Sequence, residues 1–213
     1  LRYGYHPRAP AAVDVLAKAP VPGLAKTRLA PLLGRTGAAR AQRGFTLRTL
    51  AIVRAAALGP VTLWCAPDER HRLFRLLRDR MGITTQPQSQ GDLGMRMRAA
   101  MQAHFDRTPH LPWIVVGTDC PALTPDHLQS MADALQRHTA VVLPAEDGGY
   151  VALGLARACP AVFEGVDWST PQVLAQTLER LKASDATWLE LPPLWDVDEP
   201  ADWLRWQAQQ TSS

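Results

Sequence analysis

Basic side chains collect in one loop near the start of the chain. Lys18, Lys26 and Arg28 fall within residues 17–31, AKAPVPGLAKTRLAP, although the whole chain contains just one further lysine. The stretch is punctuated by proline and glycine and follows an apolar run, which is typical of a loop after a buried strand. Ammonium and guanidinium groups gathered in such a loop suit the phosphates of a ligand. A solvated basic loop is the alternative.

The loop is not a P-loop, although PGLAKT looks like the end of the motif G-x-x-x-x-G-K-[ST]. With Lys26 in the lysine position, the two glycine positions hold Pro20 and Ala25. Pro20 and Pro22 also lack the backbone N–H groups that such a loop uses to bind phosphate. Phosphate binding here would therefore rest on side-chain charge, helped by the amino end of a helix that begins near Thr27.

Carboxylates follow other predicted strands. Asp119 comes after the apolar run 113–117, and Asp196 and Asp198 come after 187–191. Side chains two residues apart in an extended segment point the same way, so Asp196 and Asp198 repel each other unless a cation lies between them. Mg²⁺ favours one or two carboxylates together with phosphate oxygens and water. The alternative is helix capping: Asp119 would cap the helix after PALTP, and Asp198 or Glu199 would cap the helix of PADWLRW.

Two glycines follow a further predicted strand. Gly148 and Gly149, in EDGGY, come after the apolar run 140–145. They fit either a plain hairpin turn or a backbone that approaches a ligand closely, since glycine has no side chain to prevent the approach.

The elements that must position these residues alternate between strand-like and helix-like patterns. Apolar runs predict strands at 11–16, 61–66, 113–117, 140–145, 150–155 and 187–191. Helical spacing predicts helices at 36–57, 67–80, 92–107, 124–137 and 170–183; proline marks the first turn in LTPDHL, STPQVL and DEPADWL, with Thr124 and Thr170 in capping positions. The alternation predicts an α/β fold, a mostly parallel sheet flanked by helices on both faces. Ligands of such sheets bind beyond the carboxyl ends of the strands, where the residues above would meet.

Length and composition are those of an ordinary globular protein. The 213 residues, 46% of them hydrophobic, predict one domain at 11–209 after a loose arm at 1–10. No apolar run approaches the ~20 residues of a membrane helix, and the start lacks the apolar centre of a signal peptide, so we expect a cytoplasmic protein. Cys65, Cys120 and Cys159 form no CxxC pattern, which favours a reducing compartment over a disulfide framework or a zinc site.

The net charge of +3 is mild and gives no indication of a nucleic-acid partner. The most basic segment, ERHRLFRLLRDRM at 69–81, is interpreted as an amphipathic helix with a solvated face, because no nucleic-acid-binding motif accompanies it. Tryptophans crowd the C-terminal third, where packing in the core or in a homodimer interface is favoured over stacking on a substrate: Trp168, Trp188, Trp195, Trp203 and Trp206.

Six motifs occur in an order that resembles a bacterial family of transferases with a GT-A-like fold: KAPVPGLAKTRL, QGDLGMRM, GTDCPALT, EDGGYVALGL, DWST and DVDEPADW. This radical-SAM/selenodomain-associated transferase type belongs to the nucleotide-diphospho-sugar transferase superfamily. The chain is also similar to phospholactate guanylyltransferases. The resemblance covers residues 11–205 and implies a GT-A-like domain that acts on a nucleotide-activated substrate. Each motif alone is weak, whereas six in order are specific for the superfamily.

The resemblance implies roles for residues at the phosphates and the metal. Lys18, Lys26 and Arg28 would hold the phosphates of the nucleotide and, together with Asp119, would be the catalytic residues. The ligands of a Mg²⁺ or Mn²⁺ ion would be Asp119, Asp196 and Asp198.

The resemblance also implies where the nucleotide and the acceptor lie. Gln90, Gly91 and Gly94 would lie near the base or the ribose, whereas Asp92 of the same motif equally fits a helix cap. The acceptor would be faced by a larger set: Asp147, Gly148, Gly149, Tyr150, Ser169 and Thr170.

Two reactions fit these residues. In nucleotidyl transfer, the preferred interpretation, a small phosphorylated acceptor attacks the α-phosphorus of a nucleoside triphosphate and pyrophosphate leaves, so positioning and charge carry the rate. In glycosyl transfer from a nucleotide sugar, the same residues would stabilise a departing nucleoside diphosphate. Three cations on one loop favour the triphosphate, and TDC lacks the D-x-D of many metal-dependent glycosyltransferases. A non-enzymatic nucleotide-binding regulator is the third interpretation, and the joint presence of the lysines and aspartates argues against it.

Overall fold

The computed structural model describes residues 9–211 of the chain. The arm predicted at residues 1–10 therefore lies, apart from its last two residues, outside the described part. The strands are β1 (Ala12–Lys18), β2 (Val61–Ala66), β3 (Thr84–Pro87), β4 (Trp113–Val116), β5 (Ala140–Pro144), β6 (Tyr150–Leu155) and β7 (Trp188–Glu190). The α-helices are α1 (Ala30–Ala56), α2 (Arg72–Met81), α3 (Leu93–Phe105), α4 (Pro125–Ala134), α5 (Val173–Ala183) and α6 (Pro200–Thr211).

The strands form one sheet in the order β3-β2-β1-β4-β6-β5-β7. β1 is parallel to β2 and β4, β2 to β3 and β5 to β7, whereas β6 is antiparallel to both of its neighbours. The mostly parallel sheet predicted from the sequence is confirmed. Its connectivity places the carboxyl ends of β1, β4, β5 and β7, and the amino end of β6, along one edge of the sheet.

Both faces of the sheet are covered by helices. Ile114 and Val116 of β4 pack in a cluster with residues of α1, α2 and α4, whereas Trp113 and Val115 pack with residues of α3 and α5. Because successive side chains of a strand point to opposite faces, the alternation shows that β4 is buried on both sides.

The end of the chain packs against the first helix. Trp195 is 7% exposed and shares a cluster with Leu29 and Phe45, and the rings of Trp203 and Trp206 lie 6.2 and 5.0 Å from the Phe45 ring. These tryptophans therefore pack within the chain, which was one of the two expected roles. Their use in a homodimer interface, the other expected role, stays a prediction.

Some element boundaries differ from the prediction. β3 has no counterpart among the predicted strands, because its residues TTQP are polar or exposed at the edge of the sheet. α1 begins before the predicted residue 36, and its helical geometry is interrupted at Gly34 (φ 69°, ψ 164°). α5 begins at Val173 with Gln172 at its N-cap, so Thr170 does not cap it. The Thr124 cap of α4 is confirmed, since its side chain accepts a hydrogen bond from the His127 backbone N–H.

A carboxylate lies inside the sheet. Asp14 of β1 is 3% exposed, and its Oδ2 accepts hydrogen bonds of 2.8 Å from the indole N–H groups of both Trp64 and Trp113. Burial raises the pKa of Asp14 above its ordinary value, and the hydrogen bonds from Trp113 and Trp64 offset part of that rise. Asp14 thus satisfies two buried donors on neighbouring strands at the centre of the sheet.

We predict that Asp14→Leu destabilises the fold by about 2–5 kcal/mol, because two buried indole N–H groups lose their acceptor. Asp14→Asn keeps an acceptor oxygen in place and should lose clearly less. Urea denaturation of the two variants measures the difference. Equal losses for leucine and asparagine would show that the indole hydrogen bonds are not what Asp14 contributes.

Candidate functional site

Lys26 joins three segments that are far apart in sequence. Its Nζ lies 2.9 Å from Asp119 Oδ1 and 2.7 Å from Asp198 Oδ1, and it also donates a hydrogen bond of 2.6 Å to the Val197 carbonyl. The Lys26 side chain is 5% exposed, whereas the two carboxylates are about two-fifths exposed. A buried ammonium therefore ties the loop after β1 to the end of β4 and to the segment before α6.

The backbone around Lys26 supports this position. Lys26 has left-handed backbone angles (φ 46°, ψ 47°), which are uncommon for a residue with a side chain and persist where the surroundings impose them. Its ammonium lies 5.9 Å from the centre of the Phe45 ring. The Val197 N–H donates to the Asp119 carbonyl at 2.8 Å, so the two acidic segments are also joined directly.

The charges of the carboxylates outweigh the burial of the lysine. Burial acts to lower the pKa of Lys26, but the charges of Asp119 and Asp198 and their hydrogen bonds raise it above the ordinary lysine value. Because the pKa of this base is higher in the folded state, protonated Lys26 contributes fully to stability below the ordinary value of 10.5, provided that its aspartates are ionised, and this contribution is lost as the pH rises through the raised pKa.

The cavity beside this junction is acidic. It has a volume of about 330 Å³ and is lined by Arg28, Trp195 and six carboxylates: Glu146, Asp147, Asp196, Asp198, Glu199 and Asp202. The Arg28 guanidinium lies 3.5 Å from the Glu199 carboxylate, and both side chains are more than half exposed. An anionic ligand can enter this cavity only together with cations, because the lining carries an excess of negative charge.

The pKa of Asp196 responds to this acidic surrounding. Burial, followed by the charges of Asp198, Asp147 and Asp119, raises the pKa of Asp196 to about 7. Within residues 9–211, no basic side chain forms an ion pair with it. Asp196 is therefore half protonated near neutral pH and is poised to gain from any cation that enters.

The three residues predicted to bind phosphate differ in their exposure and in their ion pairs. Lys26 is already bound by carboxylates, and Arg28 is close to one. Lys18 is exposed at the end of β1 and forms no ion pair with any described residue. Lys18 and Arg28 are therefore the two cations of the loop that a ligand can reach without breaking a buried ion pair.

The predicted metal ligands form an incomplete set. Within residues 9–211, no three His, Cys, Asp or Glu side chains come close enough to form a ready metal site, and the Lys26 ammonium lies between Asp119 and Asp198. Carboxylate oxygens are nevertheless the donors that Mg²⁺ and Mn²⁺ prefer. The donor chemistry fits a divalent cation that arrives with an anionic ligand, and the set of Asp119, Asp196 and Asp198 stays a prediction.

The QGDLG segment lies at the amino end of α3. Gln90 and Gly91 are exposed there, and Asp92 caps the helix by accepting a 2.8 Å hydrogen bond from the Met95 N–H. Gly94 is buried under the Trp168 ring, so that a Cβ at this position would lie 2.1 Å from the indole nitrogen. The need for glycine at residue 94 is therefore explained by packing of the QGDLG segment against the DWST segment.

The EDGG loop is joined to the segment after residue 168. A Cβ at Gly148 would lie 2.2 Å from the Pro171 carbonyl oxygen, and the Gly148 carbonyl accepts a 2.9 Å hydrogen bond from the Leu174 N–H. Asp147 accepts from the Gly149 N–H at 2.9 Å. The loop is therefore a turn in which Gly148 packs closely against protein backbone, and the approach of this backbone to a ligand stays a prediction.

The remaining residues that were predicted to face the acceptor divide between surface and interior. Ser169 is exposed, and the Thr170 hydroxyl donates to the Asp167 carbonyl at 2.7 Å. The Tyr150 hydroxyl lies 3.8 Å from Met97 Sδ, and burial raises the pKa of Tyr150 well above its ordinary value. The Tyr150 side chain thus packs between β6 and α3, and its contact with an acceptor stays a prediction.

One pair at the cavity has no signal in the sequence. Arg205 of α6 makes two hydrogen bonds, of 2.7 and 3.2 Å, to the carboxylate of Glu146, and its guanidinium lies 4.4 Å from the centre of the Trp195 ring. Glu146 is the first residue of the EDGGY motif, and nothing in the local sequence pattern links it to a residue of the last helix.

The fold is that of the nucleotide-diphospho-sugar transferases. A proposed nucleotide-diphospho-sugar transferase from Desulfovibrio desulfuricans G20 is 30% identical, with a TM-score of 0.81, and the match covers 89% of this chain and 82% of that one. The chain belongs to the DUF2064 family, described as uncharacterized proteins conserved in bacteria, whose profile matches residues 49–170. The superfamily resemblance drawn from the six motifs is thereby confirmed. No curated protein matches the chain.

More distant structures share the fold. CMP:2-keto-3-deoxy-manno-octonic acid synthetase in complex with CTP matches with a TM-score of 0.57 at 14% identity, over 95% of this chain and 99% of that one. The manganese complex of Rv0371c from Mycobacterium tuberculosis H37Rv matches with a TM-score of 0.56 at 16% identity, over 92% of this chain and 97% of that one. Among the described residues, no helix is long and apolar enough to cross a membrane.

We predict that Lys26→Met destabilises the protein by about 2–4 kcal/mol, because Asp119 and Asp198 then face each other without a cation. For a chain of this size the melting temperature should fall by about 4–16 °C. The double variant Lys26→Met/Asp198→Asn should recover a large part of the loss. Lys182→Met, at an exposed lysine of α5, is the matched control and should melt with the wild type. A double variant as unstable as Lys26→Met would contradict the proposed charge balance.

We predict that Asp196→Asn stabilises the protein at pH 8 and does so clearly less at pH 5, in a buffer that contains a chelator. The folded-state pKa of this acid is raised, so wild-type stability falls as pH rises from about 4 to about 7, and asparagine removes that loss. The gain should be about 1–2 kcal/mol, less than the full pKa shift implies, because solvent screens a partly exposed carboxylate. Melting temperatures at the two pH values measure it, with Asp185→Asn as control. An equal gain at both pH values would show that the raised pKa of Asp196 is not the cause of the stabilisation.

Proposed function

We propose that this protein is a transferase that uses a nucleotide, and that its reaction is metal-dependent nucleotidyl transfer from a nucleoside triphosphate to a small phosphorylated acceptor. The observation that carries the proposal is the Lys26 junction: an ammonium held by Asp119 and Asp198 at the carboxyl edge of the sheet, beside a cavity whose lining is rich in carboxylates. Such a cavity accepts phosphates only when cations accompany them.

The residues of the chain divide the work by position. Lys26 orients Asp119 and Asp198 and limits their repulsion. Lys18 and Arg28, which are exposed, would contact the phosphates of the nucleotide. A bound Mg²⁺ or Mn²⁺ ion, held by carboxylates from the set Asp119, Asp196 and Asp198, would neutralise phosphate charge.

The transfer itself needs little acid–base chemistry. An oxygen of the anionic acceptor phosphate forms a bond to the α-phosphorus, the bond from the α-phosphorus to the bridging oxygen of the β-phosphate breaks, and pyrophosphate leaves with the electron pair. The acceptor would lie against the EDGG loop and the segment at Ser169 and Thr170. The base or ribose would lie near the exposed Gln90 and Gly91.

Glycosyl transfer from a nucleotide sugar is the second candidate. The relative that favours it is the proposed nucleotide-diphospho-sugar transferase, which is 30% identical over most of both chains. In that reaction the same cations and carboxylates would stabilise the departing nucleoside diphosphate.

Thermal denaturation with a panel of nucleoside triphosphates and nucleotide sugars, each with and without Mg²⁺, tests the proposal. A ligand at a hundred times its dissociation constant adds ~2.7 kcal/mol, which corresponds to a rise of about 5–10 °C in melting temperature. We expect a Mg²⁺-dependent rise with one triphosphate, followed by pyrophosphate release once the acceptor is added. A rise with a nucleotide sugar alone would favour glycosyl transfer, and no rise with any ligand would overturn both candidates.

Variants locate the binding in the site. Asp119→Asn and Asp198→Asn should each abolish the Mg²⁺-dependent part of the rise, because each removes a carboxylate charge next to Lys26. Asp185→Asn changes the same kind of side chain before β7, at the opposite edge of the sheet, and should retain the full rise. Retention of the rise in both site variants would place the nucleotide elsewhere.

A further inference from the structure

A second cavity lies on the other side of the Lys18–Arg28 loop, and its charge is opposite. It has a volume of about 460 Å³ and is bounded by Pro20 and Pro22 of the loop, by α1 and by the start of α2. Three arginines line it: Arg40 and Arg43 of α1 and Arg72 of α2. Within residues 9–211, no aspartate or glutamate lines it, and it shares no lining residue with the acidic cavity.

The arginines of this cavity have no acidic partners. Among the described residues, none of Arg40, Arg43 and Arg72 forms an ion pair or a side-chain hydrogen bond. Arg40 and Arg43 lie one turn apart on the same face of α1, and like charges at that spacing repel each other. In the described part of the chain, no acidic side chain compensates the three guanidinium groups around this cavity, whereas the acidic cavity nearby holds six carboxylates.

The remaining lining supplies a further donor and an apolar surface. His71 Nδ1 accepts a 3.2 Å hydrogen bond from the Leu73 N–H, so the proton of the neutral ring lies on Nε2. Leu76 borders the cavity and is 45% exposed. Together with Pro20 and Pro22 it forms an apolar wall next to the arginines. The volume lies within the range of small-molecule sites, which is about 300–1,000 Å³.

We propose that this arginine-lined cavity is a second ligand site, which binds a small organic phosphate: a phosphate group held by Arg40, Arg43 and Arg72, and an apolar group placed against the prolines and Leu76. Guanidinium groups bind phosphate oxygens in pairs of parallel hydrogen bonds, and an anion between them removes their mutual repulsion. The site is distinct from the acidic cavity and does not rest on the proposed transfer reaction.

Isothermal titration with phenyl phosphate, in the absence of divalent cations, tests the site. We expect saturable binding to the wild type, tighter by about tenfold than binding of inorganic phosphate because the phenyl ring buries apolar surface. Arg40→Ala/Arg43→Ala should weaken phenyl phosphate binding by about tenfold or more. Arg75→Ala, which removes an exposed arginine of α2 outside the cavity, is the matched control and should bind within about twofold of the wild type.

Further outcomes separate this site from the acidic cavity. Asp198→Asn should leave phenyl phosphate binding unchanged, and the double arginine variant should keep the Mg²⁺-dependent thermal shift of any nucleotide. Absence of phenyl phosphate binding at about 10 mM, or an equal loss in Arg75→Ala, would overturn the proposal. Competition between phenyl phosphate and the nucleotide would show one continuous site and would overturn the claim of a separate one. Melting curves confirm that each variant is folded.

Discussion

The candidate site depends on one buried ammonium. Lys26 lies between Asp119 and Asp198, and without it the end of β4 and the segment before α6 would bring two carboxylates together at one point. The hydrogen bond from Lys26 to the Val197 carbonyl and the one from the Val197 N–H to Asp119 complete the junction. The left-handed backbone of Lys26 is the local strain that accompanies this position.

Charge is segregated on the two sides of the loop that carries Lys26. Carboxylates line the cavity next to the junction, and arginines that form no ion pair with any residue of 9–211 line the cavity between α1 and α2. Segregation of this kind costs stability, since like charges repel, and the pKa of Asp196 is raised by burial first and by the neighbouring carboxylates second. Proteins keep such arrangements where ligands of opposite charge bind, and the two cavities accordingly suit cations with phosphates on one side and a bare anion on the other.

Much of the fold could be predicted because buried parallel strands are nearly continuous apolar runs. The runs at 113–117 and 140–145 correspond to β4 and β5, each of which has a neighbouring strand on both sides. The edge strand β3 escaped prediction because TTQP has no such run, and its conformation is set by pairing with β2. The start of α5 was placed too early because the proline and threonine before it form a turn against Asp167 instead of a first helical turn.

The sequence by itself determined which residues stand at the strand ends, because strand ends are marked by the switch from apolar runs to charged and glycine-containing loops. Lys26, Asp119 and Asp198 were all found in this way. Only the tertiary structure decided that the lysine binds both aspartates, that Gly94 lies under Trp168 and that the Tyr150 side chain packs between β6 and α3. Lys26 contacts Val197 and Asp198, from which it is separated by 171 and 172 positions in the sequence. Such contacts depend on how loops cross the edge of the sheet, and local sequence patterns carry no information about that.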